Sequence, residues 1–435
     1  MRVLAYSGLT RRYLRGRFTP FRQQVEYIHQ IYLRQAMTAP IDQISLLLLL
    51  SAIVAIIARR ARLPYTVGLV VTGVALAISG VTLRISLTRE LLFLVFLPPL
   101  VFESAYHLKW EALRTRLVAI VTLATVGVGI SAAVVTLGMH YFVHWSWSAS
   151  ALFGVLIAAT DPVSVIATFK DAKVGGEPRL LVEAESLFND GTAAVAYTAV
   201  IATITGQSNG VGSVSFHFAL SIIGGIVFGS LVGAVSLFLA GKQDEKLVDI
   251  TLTTVAAYGS FLVAERFHVS GVLATLTAGL MVGNMGHLGH LSEKSREAVE
   301  SFWEYATFAV NSIVFLLIGF SVVYESARGL AVPIVLAVFL ALLARAISVY
   351  LCCGALHFTR ARVSYALQHV LVWGGLRGAL GLALALGIPD SLSYAVPVRA
   401  VTFAVVAISI VSQGSTMTPL LKRLGFVRTP TEIKQ

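Results

Sequence analysis

Charged side chains are scarce in this chain of 435 residues: they make up 13% of it, whereas 57% of the residues are hydrophobic. Ordinary soluble domains carry about 25% charged residues, so the composition argues against a soluble enzyme. Residues 117–136 and 216–240 contain no Asp, Glu, Lys or Arg. As helices, such stretches are long enough to cross the hydrocarbon core of a bilayer. The composition therefore indicates a membrane protein.

Alternating hydrophobicity is also lacking. Membrane β-barrels are built from segments of about ten residues that alternate apolar and polar side chains. Since helices are the other structure that satisfies its backbone within lipid, we expect an all-α fold. The chain has only two cysteines, Cys352 and Cys353, which are neighbours in one apolar run. A bond between them would be strained, so we expect both to pack as small free side chains.

Hydropathy predicts about thirteen transmembrane helices, which we call spans 1 to 13. Their expected positions are residues 41–58, 64–80, 88–107, 116–141, 149–170, 180–205, 216–240, 248–267, 270–286, 301–323, 329–356, 364–388 and 396–421. Gly279 and Gly283 lie four apart in span 9. That spacing favours close packing against another helix.

Basic residues collect in alternate loops, and the opposite loops are nearly free of them. Because cytoplasmic loops carry the excess of Lys and Arg, these loops and the C-terminus are expected in the cytoplasm and the N-terminus outside. This scattered distribution also accounts for the formal net charge of +11, so we expect no nucleic-acid partner. The basic loop residues are Arg59, Arg60, Arg62, Lys109, Arg114, Arg116, Lys170, Lys173, Arg179, Lys242, Lys246, Lys294, Arg296, Arg360, Arg362, Lys422 and Arg423.

The first 40 residues conflict with this topology, because seven arginines lie between Arg2 and Arg34 and would have to cross the membrane. Met37 stands directly before a normal first span. Our hypothesis is that translation begins at Met37 and that the basic N-terminal extension, residues 1–40, is not translated as written. The remaining chain is expected to form a transmembrane domain at 41–425 and a short cytoplasmic tail at 426–435.

Two spans are expected to be interrupted. Asp161-Pro162 lies in the middle of span 5, and glycines surround Leu376 and Arg377 in span 12. Proline removes a helical hydrogen bond and glycine weakens the helix. The two spans are seven apart, an odd number, which predicts two halves of opposite orientation. Inverted repeats with discontinuous crossing helices are typical of secondary transporters, and their substrate site lies near the membrane midplane.

Four carboxylates are expected deep in the hydrocarbon, away from the ends of the predicted spans: Glu103, Asp161, Glu185 and Asp190. A charge at the bilayer centre costs about 3 kcal/mol on insertion scales, so each is a candidate functional residue. Asp161 and Asp190 lie near the middle of consecutive spans. Ser186 shares a helical face with Asp190, whereas Glu185 points elsewhere and needs a cationic partner. Arg345, alone in span 11, is the best candidate for a structural buried ion pair.

These residues resemble the monovalent cation:proton antiporter-1 family, the sodium/hydrogen exchangers, along the whole chain after residue 40. Four segments carry the resemblance: FLPPLVFE at 96–103, ATDPV at 159–163, EAESLFNDG at 183–191 and GGLRGA at 374–379. The resemblance implies exchange of Na⁺, or Li⁺, for H⁺ by alternating access, with no cofactor. It also implies a homodimer in the cell (inner) membrane, and a core around spans 5, 6 and 12 that moves against a scaffold of the remaining spans.

The resemblance implies a site in which Asp190 is the main carboxylate for both cation and proton. The other expected members of the cation- and proton-binding site are Asp161, Ser186, Thr160, Asn189 and Glu103. Sodium is expected at Asp190, Asp161, Ser186 and the Thr160 carbonyl, Glu185 and Arg345 as the structural pair, and Arg377 as the arginine of the broken helix. The Asn189-Asp190 pair is similar to the electroneutral branch, which implies one proton per cation.

Three alternatives differ in what they require. Exchange of K⁺, or of both ions, for H⁺ by the same fold stays open, because oxygen ligands alone do not fix the ion radius. An intramembrane aspartyl protease also needs two buried aspartates, but the Gly-x-Gly-Asp run is missing and Phe188-Asn189 precedes Asp190. A passive channel fits less well, since broken, charged helices suit alternating access better than a continuous pore. We therefore expect a transporter and not an enzyme.

Overall fold

The protein was analysed as a computed structural model. It describes residues 43–61, 63–81, 83, 85, 87–206, 211–240, 245–285, 292–324 and 329–427. The basic N-terminal extension and the expected start at Met37 lie outside these residues, as does most of the expected tail. Which terminus faces the cytoplasm stays a prediction.

Thirteen helices run through the described residues, and no β-strand occurs among them. They are α1 Gln43–Ala61, α2 Tyr65–Ile78, α3 Leu91–His107, α4 Trp110–Val143, α5 Trp147–Asp171, α6 Glu177–Ile204, α7 Val211–Ala240, α8 Lys246–Arg266, α9 Gly271–Met285, α10 Glu293–Tyr324, α11 Ala331–Ala355, α12 Tyr365–Leu386 and α13 Ala395–Arg423. Ten of them are long and apolar enough to cross a membrane, and α2, α3 and α9 are shorter apolar helices. Each coincides with one predicted span, so the expected all-α membrane fold is confirmed.

Two of these helices are broken where the sequence predicted. Helix α5 consists of α5a, Trp147–Ala158, and α5b, Val163–Asp171, with Pro162 directly before the second half. Helix α12 consists of α12a, Tyr365–Gly374, and α12b, Ala379–Leu386. Ser146 and Ser364 cap the first halves by accepting a hydrogen bond from the backbone N–H three residues on. The inverted-repeat relation between the two halves of the chain stays a prediction.

Helix α3 begins with a π-helical segment that was not predicted from the sequence. Its first turns, Leu91–Phe96, are π-helical, and regular α-helix begins at Leu97, immediately before Pro98 and Pro99. A proline inside a helix has no N–H to donate and its ring clashes with the preceding turn. The wider π-turn lets the helix continue through the two prolines.

The helices pack as two bundles. Helices α2, α3 and α7 to α10 pack mainly against one another, and we call them, with α1, the scaffold bundle. Helices α4 to α6 and α11 to α13 form the core bundle. Large apolar side chains are exposed on the outer faces of both, for example Ile56 on α1, Leu231 on α7 and Phe339 on α11. Such faces are suited to lipid; the functional division into core and scaffold stays a prediction.

Glycines allow helix backbones of the scaffold bundle to touch. A Cβ atom on Gly279 would lie 2.7 Å from the carbonyl oxygen of Phe102, and one on Gly283 would overlap the carbonyl oxygen of Tyr106. The expected close packing through these two glycines is therefore confirmed. A second contact of this kind joins α2 and α10, where Gly319 meets the backbone of Val70.

Gly319→Ala is expected to destabilise the protein. The added methyl group would overlap the carbonyl oxygen of Val70, which belongs to a helix backbone and cannot rotate away. Overpacking of this kind costs about 1–3 kcal/mol. The thermal unfolding midpoint of the detergent-purified protein should fall by several degrees.

Gly129→Ala is the matched control, because nothing lies within 4 Å of a Cβ at Gly129. Alanine favours helix over glycine, so this variant should unfold at the wild-type temperature or slightly above it. Equal midpoints for Gly319→Ala and the wild type would contradict the close α2–α10 contact.

Candidate functional site

The two helix interruptions are in contact. The backbone N–H of Asp161 donates a hydrogen bond of 2.7 Å to the carbonyl oxygen of Leu376, which joins the break in α5 to the break in α12. Each interruption leaves backbone groups without helical partners, and such groups are costly to leave unpaired away from water. Their arrangement decides which side chains can lie between them.

Arg377 binds the carbonyl groups at the end of α5a. Its guanidinium donates to the carbonyl oxygens of Ala158 and Ala159 at 3.2 and 3.4 Å, and to that of Ala341 at 3.0 Å. The side chain is 3% exposed. The C-terminal end of a helix carries partial negative charge, so a buried cation is stabilised there without a carboxylate partner.

Asp161 binds the opposite kind of helix end. Its carboxylate accepts hydrogen bonds from the backbone N–H groups of Val163, at 2.9 Å, and of Ala379. These residues begin α5b and α12b. Helix N-termini favour negative charge, so two half-helices stabilise this one carboxylate. Gly378 makes the approach possible, because a Cβ there would overlap the Asp161 side chain.

Asp190 lies on α6, and its side chain is close to that of Asp161. Asp161 and Asp190 both line a cavity of about 40 Å³, which we call the site cavity. Among the described residues, the buried Oδ1 of Asp190 has no hydrogen-bond partner. The two carboxylates therefore differ: Asp161 is held by backbone donors, and Asp190 has an acceptor atom that is not satisfied by the protein.

Two hydroxyl groups link α5 and α6 beside these acids. The hydroxyl oxygens of Thr160 and Ser186 are 3.0 Å apart, and both side chains are buried. Thr160 lines the site cavity, and Ser186 is next to it without being part of the cavity wall. The structure thus brings together four of the residues expected from the sequence: Asp161, Asp190, Thr160 and Ser186.

Asn189 points away from the site cavity. Its amide nitrogen donates to Oε1 of Glu185 at 3.3 Å. Glu185 in turn accepts two hydrogen bonds from Arg345, at 2.7 and 2.8 Å, in a bidentate pair whose side chains are 0% and 5% exposed. Arg345 also donates to the carbonyl oxygen of Leu371 on α12a. The predicted contact between Glu185 and Arg345 is present, and Asn189 connects it to the turn that carries Asp190.

Glu103 lies in a second, larger cavity. This vestibule, of about 540 Å³, separates part of α1, α2, α3 and α10 from α5b and the start of α6. Glu103 lies on its wall, 3.4 Å from Nδ1 of His107, and does not line the site cavity. The vestibule also contains Glu183, which pairs with Arg179 at 3.3 Å, so it is a polar and charged space.

Several contacts around the site were not predicted from the sequence. Tyr65 hydrogen-bonds Asn311 on the vestibule wall, and the hydroxyl oxygens of Thr66 and Ser164 are 2.6 Å apart across the boundary between the bundles. The backbone N–H of Ala379 is a further functional group. Ala379 alone had a signal in the sequence, because the GGLRGA segment predicts a break in a helix. Ordinary apolar runs surround the other four residues, Tyr65, Asn311, Thr66 and Ser164.

Known proteins resemble the chain in both sequence and fold. It is 38% identical over 372 residues to the Na(+)/H(+) antiporter ApNhaP of Aphanothece halophytica, with 84% of this chain and 70% of that protein covered. It is 30% identical over 398 residues to the Na(+)/H(+) antiporter NhaH of Halobacillus dabanensis, with 88% and 98% covered. The sodium proton antiporter MjNhaP1 of Methanocaldococcus jannaschii has the same fold: the TM-score is 0.72 at 20% identity, over 90% of this chain and 100% of that structure.

A family model agrees with these similarities. The one described as "Sodium/hydrogen exchanger, transmembrane" matches residues 46–423, which include all four motif segments and every helix from α2 to α13. The chain therefore belongs to the sodium/hydrogen exchanger family.

Proposed function

We propose that this protein exchanges Na⁺ for H⁺ across the cell membrane, and that cation and proton compete for Asp190. The family is one of membrane transporters and not of enzymes. The observation that carries the proposal is the unsatisfied, buried Oδ1 of Asp190 at the wall of the site cavity. A buried carboxylate is stable when it binds a proton or a cation, and much less so when it binds neither.

Asp161, Thr160 and Ser186 are proposed to complete the cation site. Monovalent and other hard cations take oxygen ligands, and these residues offer carboxylate, hydroxyl and carbonyl oxygens next to Asp190. The unwound backbone at 159–162 supplies carbonyl groups of the kind that coordinate Na⁺ in broken transporter helices. Asp161 is expected to contribute negative charge to the bound cation, and the N–H groups of Val163 and Ala379 hold its carboxylate in place.

One proton for each cation is the proposed stoichiometry. Glu185 is bound by Arg345 and Asn189, and Asp161 accepts hydrogen bonds from two backbone N–H groups, so both acids have partners within the protein. Asp190 alone among the acids of the site is left with an unsatisfied buried oxygen. Loading it with H⁺ or with Na⁺ changes the charge of the site equally, which supports electroneutral exchange.

Alternating access is proposed to occur by movement of the core bundle against the scaffold bundle. The vestibule leads to the site cavity from the side where α3 ends and α6 begins. Among the described residues, few polar side-chain contacts join the bundles beside the vestibule. Two of them are the hydrogen bond between Thr66 and Ser164 and the exposed ion pair of Lys170 with Glu304 at 3.2 Å. Breaking so few contacts is compatible with a movement that occurs in each transport cycle.

The vestibule side is proposed to face the cytoplasm, because the basic residues Lys109, Lys170 and Arg179 lie at that end. The C-terminus then also lies in the cytoplasm. We further propose that the protein is a homodimer in the cell (inner) membrane, formed through early helices of the scaffold bundle. The exposed apolar face of α1 is suited to such a contact or to lipid.

Sodium-driven proton movement in proteoliposomes tests the proposal. Sodium or lithium should dissipate a preset pH gradient with saturable kinetics in the wild-type protein. Asp190→Asn keeps the shape of the side chain but removes the group that binds both ions. Its exchange rate should fall at least about 100-fold, since a charged ligand contributes about 3 kcal/mol.

Asp171→Asn is the control, because Asp171 lines the vestibule but not the site cavity. It should exchange at close to the wild-type rate. If potassium alone drives proton movement, the transported cation is K⁺ and not Na⁺, and the proposed exchange mechanism still holds. An inactive wild type, or an active Asp190→Asn, would contradict the proposal.

Asp161→Asn should act on affinity more than on proton exchange. The amide offers one acceptor oxygen to these backbone N–H groups where the carboxylate offers two, and one negative charge next to the cation is lost. We expect the apparent KM for sodium to rise about tenfold or more, since hydrogen-bonded charges contribute about 1.5–3 kcal/mol. Initial rates of exchange against sodium concentration provide the measurement, and an unchanged KM would exclude Asp161 from the site.

The Glu185–Arg345 pair should be structural. Glu185→Leu alone leaves a buried guanidinium without its partner and should cost about 3–5 kcal/mol. The double variant Glu185→Leu with Arg345→Met removes both charges and should recover much of that stability, as measured by thermal unfolding. If the double variant is as stable as the wild type yet exchanges no ions, the pair has a role in transport.

A further inference from the structure

The site cavity and the vestibule are adjacent. Four residues line both spaces: Leu100 and Ser104 on α3, and Pro162 and Val163 on α5. We call them the neck. They lie between the vestibule of about 540 Å³ and the site cavity of about 40 Å³, on the shortest route for a cation from one to the other. The neck is therefore where a hydrated ion changes to one bound by protein oxygens.

Ser104 is the single polar side chain of the neck. Leu100, Pro162 and Val163 offer only apolar side-chain surface. Within the described ranges no hydrogen bond of the Ser104 hydroxyl is found, and the side chain is half-buried. Other helical hydroxyl groups, such as those of Thr72 and Thr168, donate instead to the carbonyl oxygen four residues earlier. The Ser104 oxygen is thus available to a passing ion.

An ion that loses water in an apolar neck pays for its dehydration unless an oxygen atom replaces the lost ligand. We propose that Ser104 is a specificity-determining residue that supplies this oxygen to Na⁺ or Li⁺ at the neck. The proposal rests on the cation exchange proposed above. It adds a neutral ligand from α3 to a site whose other ligands lie on α5 and α6.

The position of Ser104 implies that it acts on cations arriving from one side of the membrane, the vestibule side. Ser104 belongs to the scaffold bundle, whereas Asp161 and Asp190 belong to the core bundle. If the core bundle moves, Ser104 stays with the scaffold bundle and is separated from Pro162 and Val163 on α5. Its effect should therefore appear in the apparent KM for cations that arrive from the vestibule side, and much less in the maximal rate.

Ser104→Ala removes the oxygen with the smallest possible change of shape. In inside-out membrane vesicles, where cations are added on the predicted vestibule side, its apparent KM for sodium should rise about three- to tenfold, as expected for the loss of one ordinary polar contact. The rise should be at least as large for lithium and smaller for potassium where potassium is transported, because a smaller ion holds its water more strongly. Ser104→Thr keeps the hydroxyl and should retain a KM close to that of the wild type.

Ser301→Ala is the matched control, since Ser301 lines the wide part of the vestibule and not the neck. It should leave every KM unchanged. A general packing defect in Ser104→Ala would lower the maximal rate for all ions equally, and that result would overturn the proposal. So would a wild-type KM in Ser104→Ala while the wild type is active; a wild type that transports no cation would instead overturn the exchange function itself.

Discussion

The structure depends on the pairing of two helix interruptions inside the membrane. Each break exposes carbonyl groups at the end of one half-helix and N–H groups at the start of the next, and lipid cannot satisfy either. Arg377 binds the carbonyl groups of α5a, and the Asp161 carboxylate binds the N–H groups of α5b and α12b. One cation and one anion thus stabilise the ends of broken helices. Without them these backbone groups would be left unpaired away from water.

This use of charge explains why the buried acids are not equivalent. Glu185 is bound by an arginine, and Asp161 by backbone donors that carry the positive ends of two half-helices. Asp190 is left facing a small cavity with an unsatisfied oxygen. In the proposed mechanism a mobile ion completes this carboxylate, and either H⁺ or Na⁺ can do so. Competition for one site, together with the proposed movement of one bundle against the other, would be enough to couple their transport.

Much of this could be predicted from the sequence because it follows from one-dimensional patterns. The lengths of the apolar runs predicted the positions of the thirteen described helices, and Asp161-Pro162 and the glycines near Arg377 predicted the breaks. Helical spacing predicted that Glu185 and Asp190 point in different directions. The contact of Glu185 with Arg345 was inferred from charge alone, since each is costly to bury without the other.

Other parts of the site depend on contacts between distant segments, which a single sequence does not reveal. The hydrogen bond from the Ala379 N–H to Asp161 requires two breaks to meet in space. The place of Glu103 in the vestibule and the contact of Thr66 with Ser164 depend on how the bundles pack. The sequence predicted Asn189 in the cation site, but its side-chain amide donates to Glu185, so its role there stays a prediction.

Proton release on sodium binding tests the central claim most directly. Titration of the purified protein with sodium, by calorimetry in two buffers of different ionisation enthalpy, gives the number of protons released per bound ion. Competition at Asp190 predicts about one proton per sodium at a pH where the free site is protonated, and none for Asp190→Asn. Sodium binding by the wild type without proton release, at every pH where it binds, would contradict the account.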